Sequence, residues 1–275
     1  MNATQAMPKG SRSLLWSLPL AVWQHRELLL HLISRNLRVQ YKQSVLGYAW
    51  IILNPLAQLL TLAFVFSVVF PSQSQQDAPF TLFLFVGLLP WIFFSNAVSA
   101  ATDSISGGAS MVTAVYFPRE LLVVSAVLVR FVDLIAGAII LAVLLILAGQ
   151  PLGWAALWLP VLLLLQFAFV IGLSLPLAAL NLFFHDIRYL VGVLLYLWFF
   201  FTPIFYARSI VPARYDIVYD LNPIARLIDS YRYALLQDVG PPWGSVAAVV
   251  GLCLLTLAIG YALFKKMEPA FADSI

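Results

Sequence analysis

The chain has 275 residues, of which 63% are hydrophobic and only 10% are charged. Soluble domains carry roughly a quarter of charged residues, so this composition excludes an ordinary soluble enzyme or binding domain and indicates an integral membrane protein. The formal net charge is +3. Its basic residues lie mostly beside apolar segments, which suits contact with membrane lipids and gives no reason to expect a nucleic-acid partner.

The segment before the first long apolar run falls into two parts. Residues 1–23 show no sustained period, and we predict that they are poorly ordered. Across 24–46, apolar residues recur at every fourth position, while Arg35, Arg38 and Lys42 form a separate cationic face. This pattern predicts an amphipathic helix that is too polar to span and lies along the cytoplasmic membrane surface. It is either a headgroup anchor or a docking surface for a cytoplasmic partner.

Six apolar runs follow, long enough to cross the hydrocarbon layer of roughly 30 Å, which needs about 20 helical residues. They do not alternate polar and apolar residues as barrel strands do, so they predict helices. We therefore predict an all-α membrane protein whose transmembrane domain occupies 47–275. The predicted spans are 49–70, 80–101, 121–148, 155–184, 189–206 and 243–264.

Lysine and arginine residues are concentrated at one end of these spans. Both chain termini and the loops on their side carry most of them, whereas the first two loops on the opposite side carry none. The third opposite loop has basic residues balanced by aspartates. Because basic residues accumulate on the cytoplasmic side, we predict a multi-pass protein with both termini in the cytoplasm.

One pair of charged residues falls inside a predicted span. Arg130 and Asp133 are three positions apart, so they share a helix face and can neutralise each other. The pair is either a structural ion pair near the interface or part of a proton relay. No carboxylate or histidine continues a relay from Leu134 to Phe184, which favours the structural interpretation.

Two connecting segments have unusual compositions. The connection at 102–120 has an apolar middle and a charged rim, so it is either a contact for another protein or a plain connector. Segment 207–242 is too polar to span and too apolar for a soluble tail. Short interfacial or re-entrant helices fit it best, since irregular backbone at membrane depth must be buried in protein or line a cavity.

The chemistry that would make this chain an enzyme is missing from the sequence. There is no G-x-x-x-x-G-K-[ST] loop for ATP, and no HExxH or CxxC pattern for a metal. His185 and Asp186 could form an acid/base dyad, but a charged helix end explains them better. We therefore expect no cofactor, metal or catalytic residue on this chain.

Five collinear motifs extend from about Gln24 to the C-terminus and together resemble the membrane subunit of ABC-2 type polysaccharide exporters. Two of them combine a proline with clustered aromatic residues, which predicts bent or broken helices. The motifs are YKQSVLGYAWIILNPLAQ, LFVGLLPWIFFSNAV, YFPREL, FFHDIRYLVGVLLYLWFFFTPIFY and NP…YR. Exporters of this family move O-antigen, capsule or teichoic acid polymers.

The resemblance implies a homodimer of six-span subunits in the bacterial inner membrane, paired with two copies of a separate ATPase that binds ATP and Mg. It also implies which residues couple to the ATPase and which form the outer gate. The ATPase-coupling residues implied are Arg35, Arg38, Lys42, Tyr116, Phe117, Arg119 and Glu120. The outer-gate residues implied are Asn222, Pro223, Arg226, Tyr231 and Arg232.

The resemblance further implies a channel for a lipid-linked glycan, lined by aromatic residues. Sugars present C–H faces that stack weakly on aromatic rings, so varied repeats can slide past. The candidate channel residues are Trp91, Phe93, Phe94, Tyr196, Trp198 and Phe199. Some of these aromatic residues would instead serve as interfacial belt or bundle packing. The alternatives are an exporter of small lipids or drugs, an enzyme acting on lipid-linked sugars, and a passive channel.

Overall fold

The computed structural model describes residues 14–41, 44–65, 80–108, 117–150 and 152–273. Within these ranges the chain is helical and contains no β-strand, which confirms the predicted all-α membrane protein. In chain order the α-helices are α1 (Leu14–Gln24), α2 (Arg26–Tyr41), α3 (Trp50–Phe64), α4 (Phe80–Thr102), α5 (Glu120–Leu147), α6 (Leu159–Phe183), α7 (Ile187–Phe200), α8 (Asp216–Asp220), α9 (Pro223–Leu236) and α10 (Trp243–Met267).

Five helical segments of the described chain are long and apolar enough to cross a membrane, namely those built on α3, α4, α5, α6 and α10. Short 3₁₀ turns extend three of them, and Trp154–Trp158, for example, leads directly into α6. The end of the predicted span 49–70 and the polar loop that follows it lie outside the described residues.

The sixth apolar helix, α7, differs from the predicted span 189–206. It begins at Ile187 and ends at Phe200, so its 14 residues rise only about 21 Å. The chain then turns, because Pro203 has no N–H to continue the helix and the amide of Thr202 bonds locally to the carbonyl of Phe199. Hydropathy does not mark this end, since the sequence stays uncharged beyond it.

The prediction of a poorly ordered stretch over 1–23 is replaced from Leu14 onward by helix α1; residues 1–13 lie outside the described residues. Helix α1 packs against α10 and buries Leu18. Its residues are mostly apolar despite Pro19, so contact with another helix stabilises a segment in which sequence periodicity was weak.

The bundle is organised around α4. This helix is buried along nearly its whole length and contacts α3, α5, α6, α7 and α9. In contrast, α3 buries only Pro55 and Leu59, and α7 buries only Val191 and Leu195. Two apolar helices therefore expose most of their surface on the single subunit.

Helices α6 and α10 form the most extensive pair in the bundle, and two glycines permit their approach. A Cβ placed on Gly260 would overlap the carbonyl oxygen of Gly172. A Cβ placed on Gly172 would lie 2.6 Å from the Cα of Leu257. Small residues at such crossings let backbones pack closely, which is the main attraction available between helices in lipid.

This packing predicts that Gly260→Val destabilises the protein by about 1–3 kcal/mol or more, because the new side chain overlaps backbone that has no rotamer to change. Gly251→Val is the matched control, since nothing lies within 4 Å of a Cβ at Gly251 on the same helix. The measurement is thiol labelling of Cys253, which is fully buried in α10, during thermal unfolding in detergent. Equal labelling of both variants at all temperatures would contradict the prediction.

Candidate functional site

Only some of the predicted channel aromatics line a common cavity. Phe94 is fully buried, and its ring centroid lies 5.2 Å from that of Trp198 and 5.8 Å from that of Phe169. Phe93 is also buried and packs against Phe131. In the single subunit, Phe93 and Phe94 therefore pack within the bundle, and neither lines the cavity that holds Tyr196.

Three of the predicted aromatics meet in one open groove. Trp91, Tyr196 and Phe199 line a cavity of about 230 Å³ between α3, α4 and α7. The Trp91 and Phe199 ring centroids are 5.7 Å apart, and Tyr196 is 66% exposed. We call this cavity the aromatic groove.

Polar side chains complete the aromatic groove, and the sequence pattern did not single them out. Gln58 of α3 and Ser95 and Asn96 of α4 share its wall. Ser95 and Asn96 lie about one helical turn beyond Trp91, so i, i+4 spacing from that tryptophan is the signal that could have found them. Amides and hydroxyls beside aromatic rings offer both stacking and hydrogen bonding to a ligand.

A chain of aromatic contacts leads from the groove toward the segment after α7. The Phe199 ring lies 5.9 Å from Phe205, and Phe205 lies 5.0 Å from Tyr206. The hydroxyls of Tyr206 and Tyr219 are 2.7 Å apart.

The segment after α7 is fastened to the bundle by Arg232, one of the implied gate residues. Its guanidinium donates to the carbonyls of Pro203 and Ile204, each at 2.7 Å. The same group lies 3.6 Å above the ring of Phe83 on α4. Gly87 provides the space, because a Cβ there would lie 2.7 Å from Nη2 of the arginine. Arg232 thus joins α9, α4 and the turn after α7.

The neighbouring residue Tyr231 forms a second buried link. Its hydroxyl donates to Oε1 of Gln166 at 2.9 Å, and Nε2 of that glutamine donates to the carbonyl of Pro90 at 2.8 Å. Gln166 is fully buried in α6. These two hydrogen bonds connect α9 to α6 and α4. The second ends at Pro90, one residue before Trp91 of the aromatic groove.

The other implied gate residues fix the start of α9. Asn222 caps the helix by accepting from the amides of Ile224 and Ala225, and its Nδ2 donates to Oγ1 of Thr202 at 3.2 Å. Pro223 occupies the first helical position, where its missing N–H is not needed. This start anchors α9 to the turn that follows α7.

Arg226 belongs to an ion cluster beside α8. The carboxylate of Asp220 lies 2.6 Å from Arg208 and 3.0 Å from Arg226. The hydrogen bond from Arg208 holds the pKa of Asp220 below its usual range. Since the folded pKa is the lower one, this stabilisation is present above the unfolded pKa and is lost as pH falls through the folded value. The carboxylate is 41% exposed, so solvent screens the cluster.

The implied coupling residues come together around the start of α5. Asn36 of α2 donates to Oγ of Ser125 at 3.3 Å, and Arg35 and Arg38 are exposed on that same helix. Phe117 is buried just before α5. Lys42 and Tyr116 lie outside the described residues.

The remaining implied coupling residues, Arg119 and Glu120, contact the C-terminal end of α10 and the turn that follows it. Glu120 is 2% exposed and accepts from Nζ of Lys265 at 3.0 Å. Arg119 donates to the carbonyl of Glu268 at 2.8 Å and lies over the ring of Phe271. The composition of the connection at 102–120 singled it out in the sequence. It gave no sign that residues near the end of the chain contact this connection.

The charged pair within α5 lies at the wall of a cavity. Nη1 of Arg130 is 3.2 Å from Oδ2 of Asp133, with the side chains 24% and 20% exposed. Among the described residues, no group of three or more histidine, cysteine, aspartate or glutamate side chains is arranged to hold a metal ion.

The contacts of Arg232 predict that Arg232→Lys destabilises the protein by about 1–3 kcal/mol, because one ammonium cannot reproduce two parallel bonds to adjacent carbonyls and leaves a buried acceptor unpaired. The matched control is Arg214→Lys, which changes an exposed cation of the same segment and is expected to stay within about 0.5 kcal/mol. Thermal unfolding in detergent measures both. An unfolding midpoint unchanged by Arg232→Lys would show that these bonds contribute nothing.

The sequence of this chain matches a known family model and several named transport proteins. The family model described as ABC-2 type transporter matches residues 27–236. The chain is 33% identical to an O-antigen export system permease protein RfbA of Myxococcus xanthus, covering 92% of this chain and 97% of the relative. A Klebsiella pneumoniae RfbA is 32% identical over 90% and 94%, and the polysialic acid transport protein KpsM of Escherichia coli is 24% identical over 88% and 94%. The chain is therefore a multi-pass membrane protein that belongs to the ABC-2 type transporter family.

Proposed function

We propose that this chain is the membrane subunit of an ATP-driven exporter that moves a lipid-linked, O-antigen-like polysaccharide outward across the bacterial inner membrane. The observation that carries the proposal is the similarity over nearly the whole chain to relatives named O-antigen export permeases. The relative named as a polysialic acid transport protein points to the same class of substrate, a long glycan. This similarity favours polymer export over a small-molecule exporter or an enzyme.

The energy source in this proposal is a separate ABC ATPase, present in two copies, which binds ATP and Mg. Two features of the chain support it. The sequence has no phosphate-binding loop of its own. In addition, α2 and the segment before α5 are the implied coupling elements, and both contact the first turns of α5. A displacement of α2 or of the segment before α5 would therefore be transmitted to the same helix, α5.

A homodimer is the second part of the proposal. Helices α3 and α7 expose most of their apolar surface on one subunit, and both contribute to the aromatic groove. Pairing two copies through these helices would bury that surface and bring two aromatic grooves together. The result would be a path whose walls carry rings from both subunits.

The substrate fits the side chains of that path. Ring faces stack on sugar C–H groups without demanding one orientation, while Gln58, Ser95 and Asn96 supply hydrogen bonds to hydroxyls. Such contacts are individually weak, so a repeating polymer can move from one to the next. The outer segment with α8 and α9 would then act as the gate at the far end, with both chain termini in the cytoplasm.

The proposal predicts the outcome of deleting this gene in its host. Long-chain polysaccharide should disappear from the cell surface and accumulate inside on its lipid carrier, because synthesis is intact and export has failed. Fractionated glycan from surface and cytoplasm measures this. Absence of polymer everywhere would favour an enzyme of synthesis, and an unchanged surface would favour a small-substrate exporter.

The aromatic groove gives a second prediction. Tyr196→Ala should slow polymer export by roughly twofold to tenfold, the loss expected from one stacking contact of about 0.5–1.5 kcal/mol. Tyr189→Ala is the matched control, since Tyr189 lies on the same helix, is 63% exposed against 66% for Tyr196, and does not line the groove. Surface polymer appearing after induced expression is the readout. Equal slowing by both variants would show that the aromatic groove is not part of the export path.

A further inference from the structure

A polar cavity lies apart from the gate and beside the amphipathic helix. Its volume is about 290 Å³, and it is an open cavity lined by α2, the end of α4 with the following turn, and α5. A second, smaller cavity of about 90 Å³ lies between α3, α4 and α5. Gln40 and Arg130 belong to the walls of both. We call the two together the α2 cavity.

The charged groups of the α2 cavity are balanced. Arg35 and Arg130 supply two positive charges, and Asp103 and Asp133 supply two negative charges. The guanidinium of Arg130 gives one N–H to Asp133, and it has five to offer. Its buried Nε has no hydrogen-bond partner among the described residues. A phosphate oxygen is the acceptor that an arginine fork binds best.

The position of the carboxylates adds a second requirement on the ligand. Asp103 lies at the end of α4, and one of its oxygens accepts from Nδ2 of Asn181 at 3.3 Å, which orients the carboxylate. A carboxylate accepts about four hydrogen bonds, so acceptor capacity remains toward the cavity. A ligand that binds both the arginines and this carboxylate carries a phosphate and an ammonium group.

The surroundings of the α2 cavity match a lipid at the membrane surface. Val39 of α2 is 68% exposed and lines the larger cavity, and Trp50 is 48% exposed and lines the smaller one. Apolar side chains and a tryptophan beside a polar pocket suit the boundary between headgroups and acyl chains. The charge balance disfavours a strongly anionic diphosphate lipid, and the volume is too small for a glycan chain.

We propose that the α2 cavity binds the headgroup of one zwitterionic bilayer phospholipid of the phosphoethanolamine type, with its phosphate on Arg35 and Arg130 and its ammonium toward Asp103. Such a lipid joins the amphipathic helix to α4 and α5. It would therefore hold α2, which carries implied coupling residues, in a fixed position on the spans.

Native mass spectrometry of the full-length chain in detergent tests this inference, with dioleoyl phosphatidylethanolamine, phosphatidylcholine and phosphatidylglycerol titrated separately. Phosphatidylethanolamine should bind first and at least fivefold more tightly than phosphatidylcholine, whose quaternary ammonium donates no hydrogen bond. Arg35→Gln and Arg130→Gln should each weaken it at least fivefold. Asp103→Asn should reduce binding of phosphatidylethanolamine and leave phosphatidylglycerol unaffected.

The controls separate this site from general surface charge and from a simple ion site. Arg26→Gln removes an exposed cation from the same helix outside the cavity and should leave binding unchanged. If Arg130→Gln fails to fold, Arg35→Gln and Asp103→Asn still test the site because both side chains are exposed. Equal binding of the three lipids, an equal loss with Arg26→Gln, or displacement by millimolar inorganic phosphate would each overturn the proposal.

Discussion

Backbone groups at membrane depth have no water to bond with, so each irregular segment needs donors and acceptors from the protein itself. The turn after α7 is an irregular segment buried in the protein, and Arg232 donates to two of its consecutive carbonyls. The arginine is 6% exposed and stacks on Phe83 of the central helix. A single side chain therefore satisfies two carbonyls of the turn after α7 and joins that turn and α9 to α4. The attachment of the segment after α7 to the bundle depends on this arrangement.

A second set of buried hydrogen bonds connects α9 to the aromatic groove. Tyr231 bonds to Gln166, which bonds to the carbonyl of Pro90, and Trp91 follows directly in the chain. A movement of α9 would thus be felt at the wall of the groove without passing through lipid-exposed residues. The contacts that carry it are buried hydrogen bonds, which have discrete partners and are costly to leave unmade. This arrangement would suit a gate whose opening must accompany movement of cargo along the path.

The sequence predicted the class of fold and most of its helices because long apolar runs in a membrane protein have few alternatives. It failed where hydropathy is uninformative. The end of α7 is invisible in the uniform run to Tyr206, and α1 depends on packing against α10 that no local pattern reveals. For the site, aromatic density located the groove, but only tertiary structure separates Trp91 and Tyr196, which are in it, from Phe94, which is core. The partners of Glu120 and Arg119 at the C-terminus are equally nonlocal.

We propose that this chain moves a lipid-linked glycan across a membrane when its partner hydrolyses ATP. The most direct measurement uses sealed proteoliposomes that contain the chain and its ABC ATPase partner, with lipid-linked polymer added to the ATPase-facing side. The account predicts that the polymer becomes protected from externally added glycosidase only when ATP and Mg are supplied. Protection that appears without ATP, or polymer that stays fully accessible while ATP is hydrolysed, would contradict it.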